Sequence, residues 1–150
     1  MTTIVYDHKN RQIAVDGRTT TGNVINTETA KKWVEMDGEF WFLCGNVSDK
    51  QKFIDHFKNP SPKKPEFEID AAGMSVINNK VYYCVILEDG SPCATEIDYS
   101  DSMGSGREFA ISAIDHNRTA LEAIKYAATR DNCTGATVFV FDVDKMEFVE

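Results

Sequence analysis

Met1-Thr2-Thr3-Ile4-Val5 opens the chain, Asp16-Gly17-Arg18-Thr19-Thr20-Thr21-Gly22 follows one short strand later, and Lys31-Lys32 lies beyond. With Met1 removed, one residue carries both a free amino group and a hydroxyl, and an acid and a lysine stand in the same segment. These are the parts of a nucleophile that supplies its own base. A threonine hydroxyl attacks a carbonyl only when something accepts its proton, and the acceptor must be substantially neutral at the working pH. An α-amino group titrates near ~7.7–8.0 and a lysine near ~10.4, so at pH 7 about a tenth of the former is neutral against well under a thousandth of the latter. The terminal amine is therefore the better base. Lys32 stays a cation that depresses the amine's pKa and favours a developing alkoxide, and Asp16 holds it in place. With Met1 attached, the Thr2 nitrogen is an amide that takes no proton, and the chain is expected to be inert.

Taken singly, these are ordinary features: Met-Thr is a common start, Asp-Gly a common hairpin turn, Lys-Lys a common solvated helix face. Their order distinguishes them. Thr2 to Tyr6 and Arg11 to Val15 read as strands around the turn His8-Lys9-Asn10, and such a hairpin returns Asp16 to the neighbourhood of the amino terminus.

The run Ile13-Ala14-Val15-Asp16-Gly17-Arg18-Thr19-Thr20-Thr21-Gly22-Asn23, with Lys31-Lys32 downstream, resembles the N-terminal-nucleophile threonine peptidases, the proteasome β subunits and HslV. Gly104-Ser105-Gly106 begins an apolar stretch as that family's Gly-Ser-Gly does. Arg130-Asp131-Asn132-Cys133-Thr134-Gly135, leading into Thr137-Val138-Phe139-Val140-Phe141, is similar to the β-subunit segment Arg-Asp-x-x-Ser-Gly before a strand. The matching segments keep their order from Thr2 to about Phe141, which is more specific than any one of them.

The resemblance implies a role for each residue. Thr2 attacks the scissile carbonyl, with its amine as base and then as acid towards the leaving amine. Asp16 and Lys32 form the charged pair beside it. Ser105 and Asp131 orient the amine, and Thr134 stands in for the family's last serine, since a threonine makes the same hydroxyl contact. Gly45, in Cys44-Gly45-Asn46, offers its backbone N–H to the oxyanion. The main chain around Thr20 pairs with an extended peptide as an added strand, and Thr20 and Lys31 help to line the pocket. No metal or cofactor enters this chemistry. Methionine aminopeptidase accepts a small second residue such as threonine, so loss of Met1 alone exposes the nucleophile and no propeptide is needed.

The remaining elements must hold these residues in place. Phe40-Trp41-Phe42-Leu43-Cys44 reads as a strand buried on both faces. Ser48, with Gln51 three residues on, is expected to cap a helix whose stripe is Phe53, Ile54 and Phe57. Asn59-Pro60-Ser61-Pro62-Lys63-Lys64-Pro65 breaks it. Phe67 to Ile97 has strand character, in Met74 to Ile77, Val81 to Leu87 and, after the turn Glu88-Asp89-Gly90-Ser91, Ala94 to Ile97. Phe109, Ala110, Ala113 and Ile114 recur at helical spacing. Thr119 and Glu122 form a capping box ahead of Leu121, Ile124, Ala127 and Ala128. Val138 to Phe141 and Glu147 to Val149 read as closing strands.

Periodicity alone gives α+β, with two antiparallel sheets and helices outside them. The resemblance implies a four-layer αββα sandwich in one domain over residues 1–150. Its helical layer is reduced, because one helix at about Ser48 to Phe57 stands where family members carry two long ones.

Composition agrees. At 150 residues and 42% hydrophobic, the chain is one domain long and can bury roughly 70% of its unfolded surface. A net charge of −8, with no basic cluster beyond Lys63-Lys64, argues against nucleic acid or an anionic membrane as the main partner. With no long apolar run and no charged-then-apolar leader, a cytoplasmic location is expected. Cys44, Cys84, Cys93 and Cys133 match no zinc or redox spacing and are expected as thiols. His8, His56 and His116 stand in polar company and are expected to be solvated.

Three functions fit. One is a threonine peptidase in a homo-oligomeric, ring-like chamber, fed by an ATP-driven unfoldase because the chain has no nucleotide loop of its own. Another is an N-terminal-nucleophile amidase acting on a small amide. The last is an assembly module that keeps the fold without catalysis, against which stands the joint presence of Thr2, Asp16, Lys32, Ser105 and Asp131.

Overall fold

The computed structural model describes residues 1–60, 69 and 71–149. In chain order its elements are β1 (Thr3–Asp7), β2 (Gln12–Asp16), β3 (Thr19–Thr21), β4 (Val24–Thr27), β5 (Trp33–Met36), β6 (Glu39–Gly45), α1 (Lys50–Lys58), β7 (Ala71–Ile77) and β8 (Lys80–Ile86). They continue with β9 (Pro92–Glu96), β10 (Asp101–Gly104), α2 (Arg107–Asp115), α3 (Ala120–Arg130), β11 (Val138–Asp142) and β12 (Glu147–Phe148). The α+β content expected from periodicity is present. Contacts group the chain into two compact units, Met1–Lys32 with the chain from Asp98 onward, and Trp33–Ile97.

The first unit is built on an antiparallel sheet in the order β10-β1-β2-β11-β12. The β1–β2 hairpin sets Ile4 opposite Val15 and Val5 opposite Ala14, while β10 places Gly104 opposite Thr3. Side chains alternate across a strand, so Thr3 and Val5 point to the same face. That face carries Val5, Ala14 and Val140 under Ala110, Ala113, Ala120, Ala123, Ile124 and Ala127 of α2 and α3. Alanine on the helices lets their axes lie close to the sheet, with Phe109, Ile114 and Leu121 packed around the edge of the cluster. Ile4, Tyr6, Ile13, Val15 and Phe141 on the other face are fully buried as well. β3 and β4 form a separate two-stranded sheet, with Thr20 opposite Ile25.

The second unit is an antiparallel meander in the order β5-β6-β7-β8-β9. α1 lays Phe53 and Ile54 on Trp41, Leu43 and Cys84. The two tightest hairpins turn on residues with positive φ, Asp37-Gly38 at 54° and 77° and Asn78-Asn79 at 51° and 64°. Such a pair of left-handed residues matches the twist of the flanking strands.

Several expectations are corrected. Ser48 does not cap a helix: Asn46 does, accepting from the Ser48 N–H at 3.2 Å and the Ser48 hydroxyl at 2.9 Å, and a short 3-10 turn, Val47–Asp49, precedes α1. Gln51 instead bonds Asp55 along the helix. His56 is not solvated. It is buried, with Nε2 against the Gly90 carbonyl. The Thr119 cap is present, with its Oγ1 accepting from the Glu122 N–H at 3.2 Å. The proline-lysine loop beyond Pro60 and the start of the Phe67 to Ile97 stretch lie outside the described residues. No helix among those described is long and apolar enough to cross a membrane.

Candidate active site

Asp16 ends β2 and is fully buried. Its Oδ1 accepts from the Thr3 N–H at 2.9 Å and from Lys32 Nζ at 3.0 Å, and its Oδ2 from the Gly135 N–H at 2.9 Å and the Arg18 N–H at 3.2 Å. These donors come from four stretches of chain, so one carboxylate ties the amino terminus, the Lys32 segment and the 131–135 turn to the end of β2. Charge-assisted bonds of this kind are shorter and stronger than neutral ones.

The route that returns Lys32 to Asp16 passes over Gly17. The Ala30 N–H donates to the Gly17 carbonyl at 2.9 Å and the Gly17 N–H to the Thr137 carbonyl at 3.0 Å. A Cβ on Gly17 would lie 2.3 Å from the Glu28 carbonyl oxygen, so only glycine admits the crossing. Arg18 then clamps Glu28 through Nε at 2.6 Å and reaches the Asn132 carbonyl at 2.8 Å.

Lys32 is 3% exposed and donates to Asp16 and, at 2.8 Å, to the carbonyl oxygen of Met1. Burial penalises its charged form; Asp16 opposes that, and the balance leaves its pKa below the ordinary lysine value. Thr2, buried, lies between these partners. Met1 still precedes it, so Lys32 meets the Met1 carbonyl rather than the Thr2 hydroxyl.

A second cluster faces the amino terminus from the 131–135 turn. Asp131 accepts from the Thr134 hydroxyl at 2.6 Å and the Cys133 N–H at 3.1 Å. Burial pushes its pKa up, but Ser105, Thr134, the Cys133 N–H and the positive charge of the amino terminus together outweigh burial and leave it below the usual carboxylate value. The Ser105 hydroxyl is close enough to Asp131 to contribute, yet lies outside good hydrogen-bond geometry and has no other partner among the described residues.

Gly104 and Gly106 make this approach possible. A Cβ on Gly104, at φ 97°, would fall 1.6 Å from the Thr2 carbonyl oxygen, and the Ser105 N–H donates to that same oxygen at 3.0 Å. A Cβ on Gly106 would lie 2.7 Å from both the Thr3 and Thr134 hydroxyls.

The structure thus brings together Thr2, Asp16, Lys32, Ser105, Asp131 and Thr134 within the first unit. Thr20 sits in β3, half-buried, and among the described residues the outer edge of that strand pairs with no other. Lys31 is exposed. Gly45 ends β6 in the second unit with φ 115°, a conformation that suits glycine. Thr3 carries no motif signal of its own, yet its backbone holds Asp16 and its hydroxyl sits at 2.7 Å from Thr134. Its place follows from the strand register, Thr3 opposite Gly104 and Val5 opposite Ala14, which no motif in the sequence signals. No cluster of histidine, cysteine or acidic side chains among the described residues is arranged to hold a metal ion.

No protein-family model matches the sequence, and no curated protein matches it. Solved structures do. Eukaryotic HslV from Trypanosoma brucei superposes with a TM-score of 0.69 at 17% identity, covering 92% of this chain and 97% of that one. Thiobacillus denitrificans BPH, in complex with epoxomicin, gives 0.65 at 16% identity, with 95% and 98% covered. The chain therefore shares the fold of these two structures over nearly its whole length, as the resemblance implied.

Proposed function

We propose that the chain is a threonine-type peptidase whose nucleophile is the Thr2 hydroxyl once Met1 is gone. The observation that carries this reading is the convergence of two sets of contacts on one buried residue: Lys32, held by Asp16, reaches the carbonyl just ahead of Thr2 at 2.8 Å, and the Ser105 N–H holds the Thr2 carbonyl at 3.0 Å. Removal of Met1 frees the Lys32 proton that now serves its carbonyl and leaves an amine beside Ser105 and Asp131. Thr2 Oγ then bonds to the substrate carbonyl carbon as its proton passes to the Thr2 amine. The amine protonates the leaving amine as the peptide C–N bond breaks, leaving an ester. Water, deprotonated by the same amine, splits the ester and restores the hydroxyl. Lys32 stabilises the oxygen as negative charge develops. The unpaired edge of β3 at Thr20 suits an extended peptide, with Lys31 beside its path.

The working form proposed with this reading is a homo-oligomeric ring, fed by an ATP-driven unfoldase because the sequence carries no nucleotide loop of its own. Epoxomicin, which BPH binds, is the corresponding probe for this chain. The test is hydrolysis of peptide amides by protein whose intact mass lacks one methionine, with light scattering to read the assembly. Thr2→Ala and Lys32→Ala should fall to background, and epoxomicin should block the parent. Unchanged turnover in Thr2→Ala, or full-rate cleavage by chain that retains Met1, removes the proposed nucleophile.

A further inference from the structure

One buried hydroxyl next to this site has no part in the roles above. Thr3 is fully buried, its Oγ1 accepts the Gly106 N–H at 2.9 Å, and it lies 2.7 Å from Thr134 Oγ1, also fully buried. Proton counting fixes the direction of the second bond. A threonine hydroxyl has a single proton, and that of Thr134 is given to Asp131 Oδ2 at 2.6 Å. Thr3 must therefore donate to Thr134. The result is a directed chain, Gly106 N–H to Thr3 O–H to Thr134 O–H to the Asp131 carboxylate, in which each bond polarises the next.

From this we infer that Thr3 is a positioning residue for the reaction: its hydroxyl fixes the rotor of Thr134, and through it the orientation of the Asp131 carboxylate that receives the Thr2 amine. The inference rests on the proposed peptidase reading for its kinetic consequence and not for its geometry. Gly106 has to be glycine for the chain to exist, because a Cβ there would stand 2.7 Å from both hydroxyls. The main-chain N–H of Thr3 is meanwhile committed to Asp16 at 2.9 Å. One residue thus couples the acid that holds Lys32 to the acid that faces the amine, its backbone serving the first and its side chain the second.

Thr3→Val keeps the shape and deletes the hydroxyl, whereas Thr3→Ser keeps the hydroxyl. Thr3→Val is expected to lower kcat roughly tenfold with little change in KM, the size of one neutral hydrogen bond lost from an aligned network, and Thr3→Ser to restore most of it. An NMR titration of carboxyl-labelled Asp131, run in the Thr2→Ala background, gives a readout that needs no turnover. Its midpoint should move upward in Thr3→Val, as it should further in Thr134→Val, and stay in place in Thr3→Ser.

An unmoved Asp131 midpoint in folded Thr3→Val overturns the inference, as does Thr3→Ser behaving like Thr3→Val. If Thr3→Val does not fold, the same question is put to the parent protein, where the Thr3 and Thr134 hydroxyl protons should exchange slowly enough to be seen by NMR. Rapid exchange of both overturns it. Failure of the peptidase reading shows separately, as Thr2→Ala turning over at the parent rate, and leaves the titration to decide the role of Thr3.

Discussion

Asp16 is fully buried and carries four donors on two oxygens, and only one of those donors is a cation. That asymmetry ranks two substitutions. Asp16→Asn leaves the ammonium of Lys32 buried at 3% exposure without a counter-charge and turns one carbonyl-like acceptor into an amide that clashes with N–H donors. Breaking a buried pair from this side costs about 3–5 kcal/mol. Lys32→Met removes the cation and leaves Asp16 with three backbone N–H partners, which hold a carboxylate well. Urea unfolding should therefore find Asp16→Asn clearly the less stable of the two, although both should abolish hydrolysis. The reverse order would mean that the backbone donors do not hold the carboxylate. At this scale much was legible in the sequence. Residue type and order were enough to nominate Thr2, Asp16 and Lys32, and the resemblance added Ser105, Asp131 and Thr134; the fold does bring these six together. Thr3 was not legible, because its part comes from which face of β1 it occupies and from two glycines more than a hundred positions away in sequence.

Elements with strong periodicity or explicit caps could be read from the sequence, and those defined by their partners could not. α3 combines a Thr119 cap with apolar residues at helical spacing, and it forms where expected. β5 and β10 are short strands that owe their state to the neighbours they pair with, β6 and β1. Dipeptide signals mislead without context. Asp16-Gly17 looks like a hairpin turn but is a strand end followed by a close crossing, while Asp37-Gly38 and Asp89-Gly90 do lie in hairpin turns. Ser48 lost the cap to Asn46 because the chain enters α1 through a 3-10 turn that shifts the first exposed N–H upstream. Two substitutions separate an element's own stability from its service to the site. Thr119→Ala should cost about 1 kcal/mol in thermal or urea unfolding and leave hydrolysis unchanged, since α3 begins far from the amino terminus along its axis. Gly104→Ala puts a Cβ 1.6 Å from the Thr2 carbonyl oxygen at a φ of 97°. It should cost about 2–4 kcal/mol and also abolish hydrolysis, because the strand that carries Thr2 must move.

For the molecule as a whole, pH separates groups by the sign of their shift. Asp131 has a lowered pKa, so its share of stability is complete above the ordinary carboxylate value and is lost as pH falls through the folded value. Lys32 also has a lowered pKa, but as a base: the unfolded chain holds its proton more tightly, so this site gains stability as pH climbs towards the ordinary lysine value. Cys84 opposes it. Burial pushes its thiol from 9.0 to about 11, with the Ser75 hydroxyl only partly offsetting that. Unfolded chain ionises the thiol first, so the stabilisation is complete below about pH 9 and is lost as pH rises through about 11. Because Lys32 and Cys84 pull in opposite directions over one alkaline window, the curve of a single protein cannot assign them, but a difference can. Cys84→Ala pays a packing cost that does not depend on pH and leaves Lys32 as it was. The stability gap between parent and Cys84→Ala should be flat up to about pH 8.5 and then shrink by on the order of 2–3 kcal/mol by pH 11, measured by urea unfolding at fixed ionic strength. A gap that stays constant across that range would mean that the thiol, set in the second unit between α1 and the β-meander, is open to hydroxide and water despite its zero static exposure; that unit would then be opening locally well below the global unfolding free energy.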